Sequence, residues 1–209
     1  MDPTTPGTYH HGDLRRALLL AAERLVCEQG AESVSLRGIA RATGVSHAAP
    51  YHHFVDLEDL LAAVAASGFT RLRQVMLERA GAATGTDPRG RLQEAGVAYV
   101  SFATENPELY RLMFGGRLRG SGNHPDLDQA SDGAYDVLGE LLAHTVEANR
   151  AEFTATNLVN AARASWALVH GLSTLLIDGR LDLESGKPEE VRALVQEVTT
   201  VLERGLRDL

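Results

Sequence analysis

Cysteine is almost missing from this chain of 209 residues. Cys27 stands alone, so no internal disulfide can form, and the expectation is a reducing cytoplasm. Cys27 itself reads as a small core residue on a helix. Aromatic residues supply only 5% of the chain, while Ala, Leu and Gly dominate, a balance that favours helices over sheets. No apolar run approaches the roughly 20 residues that span a bilayer. The opening Met1 to Gly7 has neither a basic nor an apolar region, so it is not expected to be a secretory signal and reads as a disordered lead-in through residue 8. Period-two alternation between turn signals is absent, which excludes sheets and leaves an all-α chain as the expectation. Glycine-rich phosphate loops, Cys-His clusters, paired metal motifs and nucleophile elbows are also absent. No catalytic residue, cofactor or metal is therefore assigned, and an enzyme is not expected. Glu105 and Glu108 flank Pro107, but lone carboxylates are too common to carry chemistry.

A positive excess is lacking as well. The net charge is −8, which argues against a protein that coats nucleic acid with its whole surface. The charge is uneven, however. Residues 1–55 hold five acids and five arginines and sum to zero, so the whole −8 lies in residues 56–209; five of the eight histidines are in the first segment. A near-neutral segment can approach a polyanion while the acidic remainder faces solvent.

What is present is helical periodicity. A first helix is expected over Asp13–Gln29, with Leu14, Leu18, Ala21, Leu25 and Val26 on one face and Gly30 closing it in the left-handed region. Ser35 is an N-cap candidate for a second helix that carries Leu36, Ile39 and Ala40 inward and stops at Thr43-Gly44. Only Gly44-Val45 separates it from Ser46, the expected cap of a short third helix from His47 to about Phe54. Asp56 caps a fourth helix to about Ala80, a fifth ends at Glu105, and Asn106-Pro107 reads as N-cap plus first-turn proline of a short sixth, Pro107–Phe114. Loops at Gly115–His124 and Gly179–Pro188 punctuate three more helices, about 125–149, 154–178 and 189–206.

The second and third helices reverse direction within very few residues. Gly44 tolerates the positive φ this needs, and Val45 is expected to plug the core behind it. Such a pair places its second helix in the major groove of DNA. The stretch Ser35-Leu-Arg-Gly-Ile-Ala-Arg-Ala-Thr-Gly-Val-Ser-His-Ala-Ala-Pro-Tyr-His-His-Phe54 resembles the DNA-binding domain of the tetracycline-repressor (TetR) family, and the similarity covers roughly residues 9–65. Trp166-Ala-Leu-Val-His170-Gly171 is similar to the Trp-His-Gly core of one C-terminal domain type of that family, and Tyr9-His-His-Gly-Asp-Leu14 also looks like that subgroup.

The resemblance implies a helix-turn-helix domain over residues 9–55 and a regulatory and dimerisation bundle of six helices over residues 56–209. With helix geometry it implies DNA contacts from Ser35, Arg37, Ser46, His47, Ala48, Ala49, Tyr51, His52 and His53. Ser35 and Arg37 would meet phosphate, the two alanines would allow close approach to a thymine methyl, and Tyr51 and His52 would reach backbone and base edges. His10, His11 and Arg15 would touch phosphates from the start of the first helix, and Phe54 would be core. Two positions depart from the pattern. Pro50 forfeits a bond to the Ser46 carbonyl and is expected to tilt or tighten the helix start, and Leu57 stands where many relatives have lysine. A metal at His47, His52 and His53 is disfavoured because adjacent helical residues point about 100° apart.

In the same family the bundle encloses a ligand, and its last two long helices pack on a second subunit. The clustered Tyr99, Phe102, Tyr110, Met113, Phe114, Trp166 and His170, with Leu112, form the candidate ligand pocket, although each could also be ordinary core. The implied function is a homodimeric repressor that binds a palindromic operator in double-stranded DNA and is released by a small-molecule effector, with no membrane involvement. An activator, or a ligand-independent protein-interaction module on the same fold, is the alternative.

Overall fold

Leu18, Ala22 and Val26 recur every fourth residue and are completely buried, which sets the inner face of the first helix, α1 (His11–Gln29). The computed structural model describes residues 11–83, 87–118, 123–148, 155–181 and 188–207. Among these residues there are eight α-helices, two short 3₁₀ turns and no strand. The expected lead-in over residues 1–8, and the side chains of His10 and His11, lie outside the described residues. Ala21, Leu25 and Leu14 are only half-buried, and Ala22 takes the place on the core face expected for Ala21. Cys27, expected in the core, is exposed, because it sits one residue, about 100°, past the Leu18–Val26 stripe.

The chain gathers into two compact units that do not follow sequence order, one within Met1–Ala66 and Glu108–Leu127, the other within Ser67–Pro107 and Asp128–Leu209. In the first unit α1 ends at Gly30, whose φ of 76° is positive as expected but whose ψ of 153° is extended rather than left-handed. A 3₁₀ turn follows at Ala31–Ser33, and then α2 (Leu36–Thr43). The first turns of α3 (Leu57–Ala82) belong to this unit. So does nearly all of α5 (Pro107–Phe114), whose Leu109, Tyr110, Leu112 and Met113 are buried.

In the second unit α4 (Pro88–Glu105) packs on α7 (Ala155–Ile177) and on α8 (Pro188–Arg207), which also touch each other. Asp87 caps α4 by accepting from the Gly90 N–H at 2.9 Å, and proline follows at the first helical position. Gly96 allows this close packing: a Cβ there would meet Val169 and Val195, each at 3.6 Å. On α6 (Pro125–Ala148), Leu142 joins Ala161 and Ala162 of α7 in an apolar cluster bordered by Leu92, Leu138 and Leu158. Glu94 of α4 accepts from Arg79 of α3 at 2.9 Å and also from Arg192 of α8, so one carboxylate ties three helices together. Burial raises the Glu94 pKa, but the hydrogen bonds from Arg79 and Arg192 outweigh it and hold the carboxyl below its ordinary value.

Asn106 departs from its expected role. Its side-chain amide donates back to the Phe102 carbonyl at 2.9 Å and its oxygen accepts from Arg71 at 3.4 Å, so it closes α4 instead of capping α5. No helix among the described residues is long and apolar enough to cross a membrane.

Candidate nucleic-acid interface

The platform for the site is α2. Ser35 Oγ accepts from the Gly38 N–H at 3.1 Å, which satisfies one of the unpaired donors of the first turn. Leu36, Ile39 and Ala40 are buried, so Arg37 and Arg41, one turn apart, share the exposed face. Gly44 then reverses the chain with φ 74° and ψ 26°, and its N–H returns to the Ala40 and Arg41 carbonyls. Val45 follows, half-buried, with its N–H on the Ala40 carbonyl at 3.0 Å.

The expected third helix, His47 to Phe54, is not an α-helix. Only Ala49–His52 is helical, and it is a 3₁₀ turn. Pro50 supplies the reason. It has no N–H to give the Ser46 carbonyl, so the Ala49 N–H takes that oxygen instead at 3.0 Å, one residue sooner, and the Tyr51 N–H takes Ala48 O at 3.2 Å. The turn is thereby tightened. Ser46 correspondingly loses its expected capping role: Ala48 holds the N-cap position, with no side-chain cap. The Pro50 ring is buried together with Phe54, which is 3% exposed, and the Arg15 guanidinium lies 5.1 Å from the centre of the Phe54 ring.

This anchoring leaves Ser46, His47, Ala48, Tyr51 and His52 outward, with Tyr51 62% exposed. Ala49 and His53 are half-buried. In a 3₁₀ turn residues three apart eclipse, so Ala48 lines up with Tyr51 and Ala49 with His52. Val55, 82% exposed, extends the same segment and carried no sequence signal. Two aspartates fix the exit from the turn: Asp56 caps α3 by accepting from the Asp59 N–H at 2.8 Å, and Asp59 reaches back to accept from the Val55 N–H at 3.0 Å.

The candidate ligand residues divide between the two units. In the second unit Tyr99 Oη and His170 Nδ1 share a hydrogen bond of 3.1 Å, and the Trp166 ring lies 5.4 Å from His170. Tyr135, which the sequence did not single out, meets Trp166 edge-on at 6.0 Å. Burial pushes the His170 imidazole below its ordinary pKa, so it is held neutral. Trp166 is 39% exposed, on one stripe of α7 with Val159. Phe102 lies under the Arg71 guanidinium at 5.4 Å. Tyr110, Met113 and Phe114 are in the first unit, where the Tyr110 and Phe114 rings are 4.7 Å apart. A cleft of about 340 Å³ in the second unit is lined by Ser101, Thr104, Glu105, Leu176, Leu181, Pro188 and Val191, and none of the expected pocket residues is among them.

Residues 18–64 match the family described as bacterial regulatory proteins, tetR family, and residues 92–202 match the tetracyclin repressor-like C-terminal domain. The chain is 38% identical over 64 residues to the HTH-type transcriptional repressor AcnR of Corynebacterium glutamicum, covering 31% of this chain and 34% of that protein. It is 30% identical over 143 residues to the HTH-type transcriptional regulator AcrR of Shigella flexneri, covering 65% of this chain and 66% of that one. The chain thus spans about a third of the first curated relative and about two thirds of the second. A solved structure of a protein with unknown function from Rhodococcus sp. RHA1 superposes with a TM-score of 0.75 at 35% identity, over 92% of this chain and 97% of that one. A chain whose described residues form helices and no strand, whose first helices build this turn, and of which more than half matches the C-terminal domain, belongs to the tetR family of bacterial regulatory proteins, a non-enzymatic family of DNA-binding transcriptional regulators.

Proposed function

We propose that the chain is a sequence-specific repressor that binds a palindromic operator as a homodimer and is released by a small-molecule effector. One observation carries the DNA-binding part. Ser46, His47, Ala48, Tyr51 and His52 all face outward from one short segment whose other side is anchored by buried Pro50 and Phe54. Ser35, Arg37 and Arg41 flank that segment and supply phosphate contacts, while Ala48 and Tyr51 give a small apolar step and an aromatic hydroxyl for base edges. Ala49 and His53, half-buried, serve as supports with smaller contacts of their own. The name of the relative AcnR, a repressor, favours repression over activation.

Dimerisation is supported by exposed apolar side chains on the last two helices, Val159 and Trp166 of α7 and Val201 of α8, the last 70% exposed. A two-fold dimer would set two reading turns about one DNA repeat, roughly 34 Å, apart. The C-terminal domain is read as the Trp-His-Gly type, with Tyr99, Trp166 and the neutral His170 as its polar and aromatic contacts for an effector. The regulator would work in the cytoplasm, where the DNA is.

The test is fluorescence polarisation with a labelled duplex taken from upstream of the chain's own gene, and with a duplex selected from a random pool. Saturable binding that weakens steeply with salt, at two chains per duplex, is expected. Absence of any salt-sensitive, sequence-dependent binding to either duplex would overturn the proposal.

A further inference from the structure

The reading turn is contiguous in sequence, but the unit that holds it is not. Residues 108–118 come from far along the chain and lie in the same compact unit as residues 11–66. One side chain of this segment, Arg117, is tied to both ends of the helix-turn-helix. Arg117 Nη2 donates to one oxygen of the Glu58 carboxylate at 2.9 Å and Nε to the other at 3.3 Å, a two-pronged pairing. Arg117 Nη1 donates to the Ala31 carbonyl at 3.0 Å and lies 3.0 Å from the Glu32 carboxylate. The Arg117 side chain is only 20% exposed and Glu58 31%, so these bonds are partly shielded from water, whereas Glu32 at 87% adds little.

The positions of these partners matter more than their number. Ala31 and Glu32 lie just before Ser35, where the chain enters α2. Glu58 is in the first turn of α3, just after the chain leaves the reading segment. We propose that Arg117 is a positioning residue for DNA binding, one guanidinium that clamps the entrance and the exit of the helix-turn-helix and fixes the angle at which Tyr51 and His52 are presented. The proposal rests on the DNA-binding reading given above.

The approach of Arg117 is itself built. The Gly115 N–H closes α5 on the Arg111 carbonyl at 2.8 Å, and a Cβ at Gly115 would lie 2.3 Å from that same oxygen. Any other residue there would force the turn open just before Arg117. At the other end of α5, Glu108 approaches Gly30 so closely that a Cβ on the glycine would be 3.2 Å from a carboxylate oxygen. The segment from Glu108 to Arg117 is thus seated against the end of α1 at one point and held by charge at the other.

The experiment compares the full-length protein with Arg117→Ala, Arg117→Lys, Glu58→Gln and the exchange Arg117→Glu with Glu58→Arg. Two readouts are taken: polarisation with the selected duplex over a salt series, and amide hydrogen exchange. Arg117→Ala is expected to weaken binding about tenfold or more while leaving the salt slope unchanged, because no phosphate contact is removed. Lysine should restore only part of the loss, since it cannot fork across a carboxylate. The charge exchange should recover most of it. Amides of Gly44, Val45, Ala49 and Tyr51 should exchange faster in Arg117→Ala, while those in the middle of α1 should not change.

Affinity within twofold of the parent in both Arg117→Ala and Glu58→Gln would overturn the proposal. So would a salt slope lowered by about one, which would make Arg117 a direct phosphate contact. Should Arg117→Ala fail to fold, Arg117→Lys and the exchange pair carry the same test, and an exchange pair that binds no better than Arg117→Lys overturns it. Hydrogen exchange separates the two readings. If no duplex binds the parent protein, the functional proposal falls, and unaltered exchange at residues 44–51 in the variants sinks the clamp independently.

Discussion

The two units hold ion clusters that are inverses of each other. In the unit that holds the helix-turn-helix one guanidinium, Arg117, serves Glu58, Glu32 and a backbone carbonyl. In the second unit one carboxylate, Glu94, serves Arg79 and Arg192. The difference lies in what can dissolve them. An arginine cannot be deprotonated in a protein, so the first cluster has no titratable group at its centre. A carboxylate at the centre loses both partners with a single proton. The pH dependence of the α3–α4–α8 junction is therefore carried by one group, whose two arginines hold it ionised below the ordinary carboxylate range.

The comparison breaks most sharply at the surface that has no counterpart in the second unit. Tyr51→Ala combined with His52→Ala should reduce operator affinity about 100-fold, roughly 2.8 kcal/mol, with the dimer intact by sedimentation. Loss of the dimer along with DNA binding would instead assign these residues a folding role. Next in size is the turn before the clamp. Gly115→Ala should cost about 2 kcal/mol in urea unfolding, since the new Cβ cannot coexist with the Arg111 carbonyl. Gly44→Ala should cost less, about 1 kcal/mol: its φ of 74° is strained for alanine, but the space around its Cβ is open.

Glu94 sharpens the comparison through pH. Its folded-state pKa lies below the unfolded value, so its contribution is complete above the unfolded value of about 4.3 and is lost as pH falls through the folded value. Thermal melts taken through that range should decline, and Glu94→Gln should flatten the decline while costing about 1–2 kcal/mol near neutrality. A melt profile in which Glu94→Gln keeps the full acid slope would contradict this assignment. His170 gives the smallest effect with the same sign. Its pKa is also depressed on folding, so stability slips as pH falls below about 6.5, and His170→Gln should remove that shallow step.

Local signals account for most of what was legible in the sequence. Ser35, Gly44, Asp56, Pro107 and Pro125 mark helix ends or turns because each acts on neighbours within four residues, and the structure has boundaries at all of them. Pro50 is legible as a perturbation, but its effect exceeds a tilt: in so short a helix the loss of one N–H converts the whole element to a 3₁₀ turn. The role of Asn106 is ambiguous in the sequence because an Asn-Pro pair marks a helix boundary equally well whether the side chain points forward or, as here, back to Phe102. The cluster of Tyr99, Trp166 and His170 was partly legible, since Trp166 and His170 are one helical turn apart, whereas Tyr135 comes from another helix with no periodicity to reveal it. The clamp was illegible for the same reason: Arg117 lies 59 residues from Glu58 and 86 from Ala31.

That separation has a consequence for the order in which the protein is made. A chain growing at about 5–20 residues per second delivers residues 11–66 some 3–10 s before Arg117. During that interval the helix-turn-helix exists without the segment that completes its unit. A product that terminates anywhere in residues 67–116 would therefore carry every side chain proposed to read bases and still lack Arg117, so truncation should yield a poor competitor for DNA rather than a miniature of the whole protein.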